Sequence, residues 1–154
     1  MKKFKFSLDS VLSYKQQVLD ALKGEHAEIL AQVHAQEDVL EAAWQEYRDC
    51  NEEYSRRKAE GMTITDALVY QNGLRVLERN IQRETEKLEE LRKKEEKKRQ
   101  EVVDAKIDTS SIEKLKEHKL EDYNKAVQKD EEKLIDEFVS SAQARANIGA
   151  QHSA

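Results

Sequence analysis

The stretch Tyr54-Ser55-Arg56-Arg57-Lys58-Ala59-Glu60-Gly61-Met62-Thr63-Ile64-Thr65-Asp66-Ala67-Leu68-Val69-Tyr70 decides the fold. Gly61 suits the left-handed residue that closes a helix, and Thr63 with Asp66 resembles a capping box opening the next. The interval of about 59–64 therefore reads as a short turn that sends the chain back on itself.

Upstream, alternate steps of four and three trace Leu12, Lys15, Leu19, Leu22, His26, Ile29, Val33, Gln36, Leu40, Ala43, Tyr47, Cys50, Tyr54 and Arg57; ten of these are apolar. Downstream the same rhythm runs Tyr70, Leu74, Leu77, Ile81, Glu84, Leu88, Leu91, Glu95, Lys98, Val102 and Ala105, with eight apolar. This is the seam of two supercoiled helices. The expected fold is all-α, a long antiparallel two-helix coiled-coil hairpin with unequal arms, opposing Tyr54 to Tyr70, Tyr47 to Leu77 and Leu40 to Glu84.

One domain is expected over the chain, with helix 1 at about 8–58, helix 2 at about 65–141 and a frayed tail from Ala142. Ser7 or Asp9 is the candidate N-cap of helix 1. Around Thr109-Ser110-Ser111 the apolar phase shifts before Ile112, Leu115, Tyr123, Val127, Leu134 and Phe138, which reads as a stutter. The first arm would be about 75 Å long and the second over about 100 Å. Beyond Tyr123 the second arm would have only Phe4–Leu8 to pair with, yet Val127, Leu134, Ile135, Phe138 and Val139 remain to be covered, so a partner is implied.

Composition narrows the function. The chain has no proline, four glycines, 38% hydrophobic and 38% charged residues. That is too little apolar content for a globular core but enough for a narrow seam. A net charge of -5 argues against sequence-independent nucleic-acid binding. The lone Cys50 permits no internal disulfide, which fits a reducing cytoplasm. No apolar run suffices to span a bilayer, and Met1–Phe6 lacks the apolar core of a signal peptide.

Catalysis finds no support. His26 and His34 stand two turns apart and cannot converge on one metal. Carboxylates such as Glu89-Glu90 and Glu95-Glu96 alternate with cations at helical spacing and read as a solvated lattice, as does the basic run Arg92–Arg99. Cys50 reads as a packed seam residue. No catalytic, metal or cofactor site is expected. Trp44, one position past the seam at Ala43, reads equally as packing or as an exposed partner patch.

Three segments together resemble the FliJ family of the bacterial flagellar export apparatus. They are Phe4-x-Phe6-x-Leu8-x-x-Val11-Leu12; Glu46-Tyr47-Arg48 with Tyr70-Gln71-x-x-Leu74-x-x-Leu77; and Glu113-Lys114-Leu115-Lys116-Glu117 followed by Tyr123 and Asp136-Glu137. The resemblance spans essentially the whole chain. It implies a non-enzymatic cytoplasmic stalk, associated peripherally with the membrane-embedded apparatus. Such a stalk enters the hexameric export ATPase (FliI-like), promotes its assembly and activity, contacts the export gate protein (FlhA-like) and handles export chaperones.

By that resemblance Phe4, Phe6, Leu8, Leu134, Ile135 and Phe138 would meet the ATPase ring. Gln36, Leu40, Trp44, Tyr47 and Leu77 would offer the gate-binding surface, although Ala43 and Gly73 stand where some relatives carry bulky aromatics. An injectisome stalk would share this architecture. A parallel coiled-coil scaffold, with helix continuing through Gly61 at about 1 kcal/mol, is the other alternative.

Overall fold

The computed structural model describes residues 2–152, with side chains through residue 151. It is an all-α helical hairpin of unequal arms: α1 is Asp9–Glu60, 52 residues, and α2 is Ile64–His152, 89 residues. Among the described residues there is no strand.

The turn follows from its residues. Gly61 takes φ 95°, and its N–H donates to the Lys58 carbonyl at 3.2 Å. A side chain there would cost about 1–2 kcal/mol, so glycine ends α1 where another residue would continue it. Thr63 Oγ1 accepts from the Asp66 N–H at 3.1 Å, and the Thr63 carbonyl accepts from the Ala67 N–H at 3.0 Å. Thr63 is thus the N-cap of α2. Arg57 and Lys58 in the last turn of α1 and Asp66 in the first turn of α2 suit the two helix dipoles. The chain turns at Gly61 rather than passing through it, which removes the parallel-scaffold alternative.

The other end of α1 differs from expectation. The Leu8 carbonyl accepts the first intrahelical bond, from the Leu12 N–H at 2.8 Å, so Leu8 occupies the N-cap position instead of Ser7 or Asp9. Buried Phe6 precedes it, and the Phe6 carbonyl accepts from the Asp9 N–H at 3.2 Å. Side-chain burial sets this helix start, and Asp9 serves the dipole from inside the first turn.

Length alone suggests one domain, but contacts divide the chain into two compact units, one of Gln17–Lys106 and one of residues up to Gln16 with those from Ile107. In a two-helix seam each layer touches only its neighbours, so compactness is local.

In Gln17–Lys106 the buried seam comprises Leu19, Val33, Ala43 and Tyr54 from α1 with Ile81, Glu84 and Leu88 from α2. Tyr54 stacks on Tyr70 with ring centroids 5.4 Å apart. Tyr47 donates to Glu78, beside Leu77, at 3.4 Å. Glu84 is served by Gln36, one turn before the expected Leu40: the Gln36 amide donates to the carboxylate at 2.6 Å and to the Glu84 carbonyl at 3.1 Å. A buried carboxylate needs a donor, and the long amide side chain reaches it where leucine cannot. His26 meets Glu95 at 2.9 Å, and Lys98 meets Glu25 at 2.9 Å.

The Gln36–Glu84 layer makes the seam pH-sensitive. The Gln36 hydrogen bond, aided by Lys87 and Arg83 against the effect of burial, holds the Glu84 pKa below its ordinary value. A depressed folded-state pKa contributes stability above the unfolded glutamate value, which is lost as pH falls through the folded one. Urea melts near neutrality and in acid should therefore show a smaller acid-induced loss for Glu84→Gln than for the wild type; an equal loss would contradict this assignment. Lys98 shifts oppositely: hydrogen bonds to Glu101 and Glu25 raise its pKa.

In the other unit Phe6 and Leu12 are buried, Lys15 pairs with Asp108, and Lys116 pairs with Asp9 at 2.8 Å. The expected stutter is absent. Burial along α2 continues in phase through Ala105, Thr109, Ile112, Lys116 and Tyr123, while Leu115 and Leu120 lie outside it. Thr109, only 3% exposed, takes the seam position with its hydroxyl 3.5 Å from the Lys15 carbonyl. Counting only apolar residues passes over a threonine that packs its methyl and satisfies its hydroxyl. Nor does α2 fray at Ala142: it continues to His152, as Ala142, Gln143, Ala144, Arg145 and Ala146 are strong helix formers.

Candidate partner-binding surfaces

The residues assigned to ring binding separate into two groups, both in the unit containing the chain's beginning. Phe4 tilts against Tyr123 at 5.5 Å, and the Tyr123 hydroxyl donates to the Lys2 carbonyl at 2.7 Å. Phe6 is 8% exposed and Leu8 half-buried. These N-terminal side chains pack against their own chain, and their first role is to seat the segment before α1.

Leu134, Ile135 and Phe138 are different, at 66%, 61% and 76% exposed. Every α2 residue from Gln128 to Gln151 is exposed. Two shallow hollows along this segment share Leu134 and Glu137, one reaching back to Tyr123 and Val127, the other forward to Phe138 and Ala142. Asp130, Glu131, Glu132, Asp136 and Glu137 outnumber Lys129 and Lys133 among the apolar side chains of this segment, and Asp130, Glu131, Lys133 and Glu137 line the first hollow. The segment offers an apolar helical face with an acidic margin.

The five residues assigned to the gate lie in Gln17–Lys106 and also divide. Gln36 is held by Glu84 and Tyr47 by Glu78, while Leu40 and Leu77 are half-buried in the seam. Trp44 alone stands well exposed, at 42%, with its ring edge-on to Tyr47 at 6.0 Å. Trp44 therefore both packs, on Tyr47, and presents surface, while the other four lie half-buried along the seam.

Sequence reading passed over a third surface. Ile64, Leu68, Val69 and Val76 are exposed on the first turns of α2, outside the seam rhythm. The signal was available: these aliphatics fall on the helix face opposite Tyr70, Leu74 and Leu77, where a solvated helix carries polar residues.

Among the described residues no His, Cys, Asp and Glu cluster could hold a metal ion, and no helix is long and apolar enough to cross a membrane. Cys50 is a half-buried free thiol. His34 is exposed.

Comparison with curated proteins and with solved structures gives no match. A family model described as "Flagellar FliJ protein" matches residues 4–147, nearly the whole chain, including the segment seated by Phe4 and the exposed end of α2. The chain thus belongs to the flagellar FliJ protein family and is a component of the flagellar export apparatus.

Proposed function

We propose that this protein is a non-enzymatic, cytoplasmic stalk of the flagellar export machine. It docks the exposed end of α2 into the hexameric export ATPase and promotes assembly and ATP turnover by binding the assembled ring. The observation that carries this reading is the uncovered apolar face of Leu134, Ile135 and Phe138 on a helix whose other half buries its apolar seam. Single exposed apolar residues are ordinary, but a set of large ones on consecutive turns calls for a partner. In this reading Phe4, Phe6 and Leu8 support the docking end by fixing the chain start against Tyr123.

Contact with the export gate is assigned to the Trp44 surface, backed by Gln36, Leu40, Tyr47 and Leu77. Export chaperones are further partners, and association with the membrane-embedded apparatus is peripheral. Membership in a flagellar family favours the flagellar ATPase over an injectisome one.

The test is ATP hydrolysis by the flagellar export ATPase of the same organism, with and without the protein. A rise accompanied by ring formation is expected. No change with folded protein would overturn the stalk reading in favour of a chaperone-handling adaptor.

A further inference from the structure

The start of α2 carries an outer face unlike the rest of the chain. Away from the seam, its residues from Thr65 to Arg83 include Thr65, Leu68, Val69, Asn72, Arg75, Val76, Arg79, Gln82 and Arg83, all exposed; the one exposed carboxylate in this interval, Glu78, accepts from the Tyr47 hydroxyl at 3.4 Å. Elsewhere the outer surface mixes both signs, as in Glu89, Glu90, Lys93, Glu96 and Lys97. Arg83 is engaged by Asn80 at 2.6 Å and lies 3.9 Å from Glu84. Among the described residues Arg75 and Arg79 have no ion-pair partner. Two aliphatics, Leu68 and Val69, therefore precede two unpaired arginines by about two turns.

The end of the same helix carries the opposite pattern in reverse order. Glu131 and Glu132 precede Phe138 and Val139 by the same seven-residue step that separates Leu68 from Arg75, and all four are exposed. Neither glutamate has an ion-pair partner among the described residues. Laid antiparallel, the two segments bring Leu68 to Val139, Val69 to Phe138 and Arg75 to Glu132, while Arg79 comes within reach of Glu131. Residues seven apart recur on one side of a paired helix, so the apolar and ionic contacts form together along a single stripe. A shift by one residue would turn the aliphatics off the stripe.

We infer that the Leu68–Arg79 face of one copy binds the Glu131–Val139 segment of a second copy. The face carries unpaired arginines and selects an acidic partner, and the order and spacing of charges select this one, because the chain itself carries the complement. An anionic bilayer is disfavoured by Asp66 and Glu78, carboxylates of the same stretch of α2. The contact is heterologous, since two different surfaces meet, and its ionic half makes it salt-sensitive. It involves Phe138, which the stalk reading gives to the ATPase ring, so ring binding and self-association would compete. The inference itself needs only the protein alone.

The test is sedimentation of the full chain up to roughly 0.1 mM, in the range where a small contact gives measurable association. Wild type should associate with rising concentration and dissociate at high salt. Arg75→Glu with Arg79→Glu, and separately Glu131→Lys with Glu132→Lys, should each weaken association about tenfold or more, since like charges then face each other. Mixing the two variants should restore hetero-association, which a contact within one chain or with another surface cannot do. A wild type that stays monomeric, or a mixture that does not recover, overturns the inference. So does binding of anionic vesicles by the Arg75 and Arg79 face with no self-association. All four residues are exposed, and circular dichroism verifies that the variants fold.

Discussion

Leu134→Asp with Phe138→Asp is expected to abolish stimulation of the export ATPase while leaving the helical content and urea midpoint of the free protein unchanged. Two large apolar side chains at the centre of a contact commonly supply 2 kcal/mol or more each, so placing a charge at both should weaken binding by about a thousandfold or more. Neither residue touches the seam, being 66% and 76% exposed, and exposed substitutions move stability by about 0.5 kcal/mol or less. That separation makes the experiment decisive. Retained stimulation would remove the docking role of this segment, and lost helicity would show that the side chains are structural after all. Phe6→Asp is a poor substitute, because Phe6 is buried and its loss would disturb the unit that seats the chain start.

Leu88→Ala should give the largest loss of stability of any single truncation in Gln17–Lys106. Leu88 is 4% exposed, with Ile81 at 7% one heptad before it and Val33 at 5% on the facing helix. Removing its side-chain carbons forfeits transfer energy and leaves a gap that flanking layers fill only in part, costing roughly 2–5 kcal/mol. For a chain of this size that lowers the melting temperature on the order of 10 °C. Val69→Ala, on the same helix but 66% exposed, serves as the control and should change stability by only about 0.5 kcal/mol. Thermal melts of both variants test the seam assignment. Equal shifts would mean that the four-three seam does not carry the stability.

Much of this architecture is legible in the residues because helix pairing is periodic. Leu12, Leu19, Val33, Ala43 and Tyr54 recur in steps that only a two-helix seam explains, and all are buried. The turn is equally legible, since Gly61 and Thr63 act through backbone geometry and a local cap. Local interactions of this kind depend on near neighbours in sequence.

The remaining features lie outside what periodicity encodes. Thr109 counts as polar in the rhythm yet occupies the seam, because a threonine with a satisfied hydroxyl packs like a small aliphatic residue. Leu8 replaces the expected cap beside buried Phe6, whose carbonyl accepts from the Asp9 N–H. Phe4 and Phe6 enter the sequence reading through their periodic place and the family resemblance, while the contact of Phe4 with Tyr123 is visible only in the fold. Thr109 and Phe4 each meet a partner far away in sequence, which periodicity does not specify.

The sequence by itself determined two helices, their antiparallel sense, the turn at Gly61 and the family, since these rest on local propensity, period and motif order. The tertiary structure alone decided which apolar residues remain uncovered: it buries Phe6, half-covers Leu40 and Leu77, and leaves Leu68, Val69, Leu134, Ile135 and Phe138 to solvent. The reason is physical. Burial is a property of what packs opposite a side chain, and two residues of equal hydrophobicity differ only when the facing helix is present for one and absent for the other.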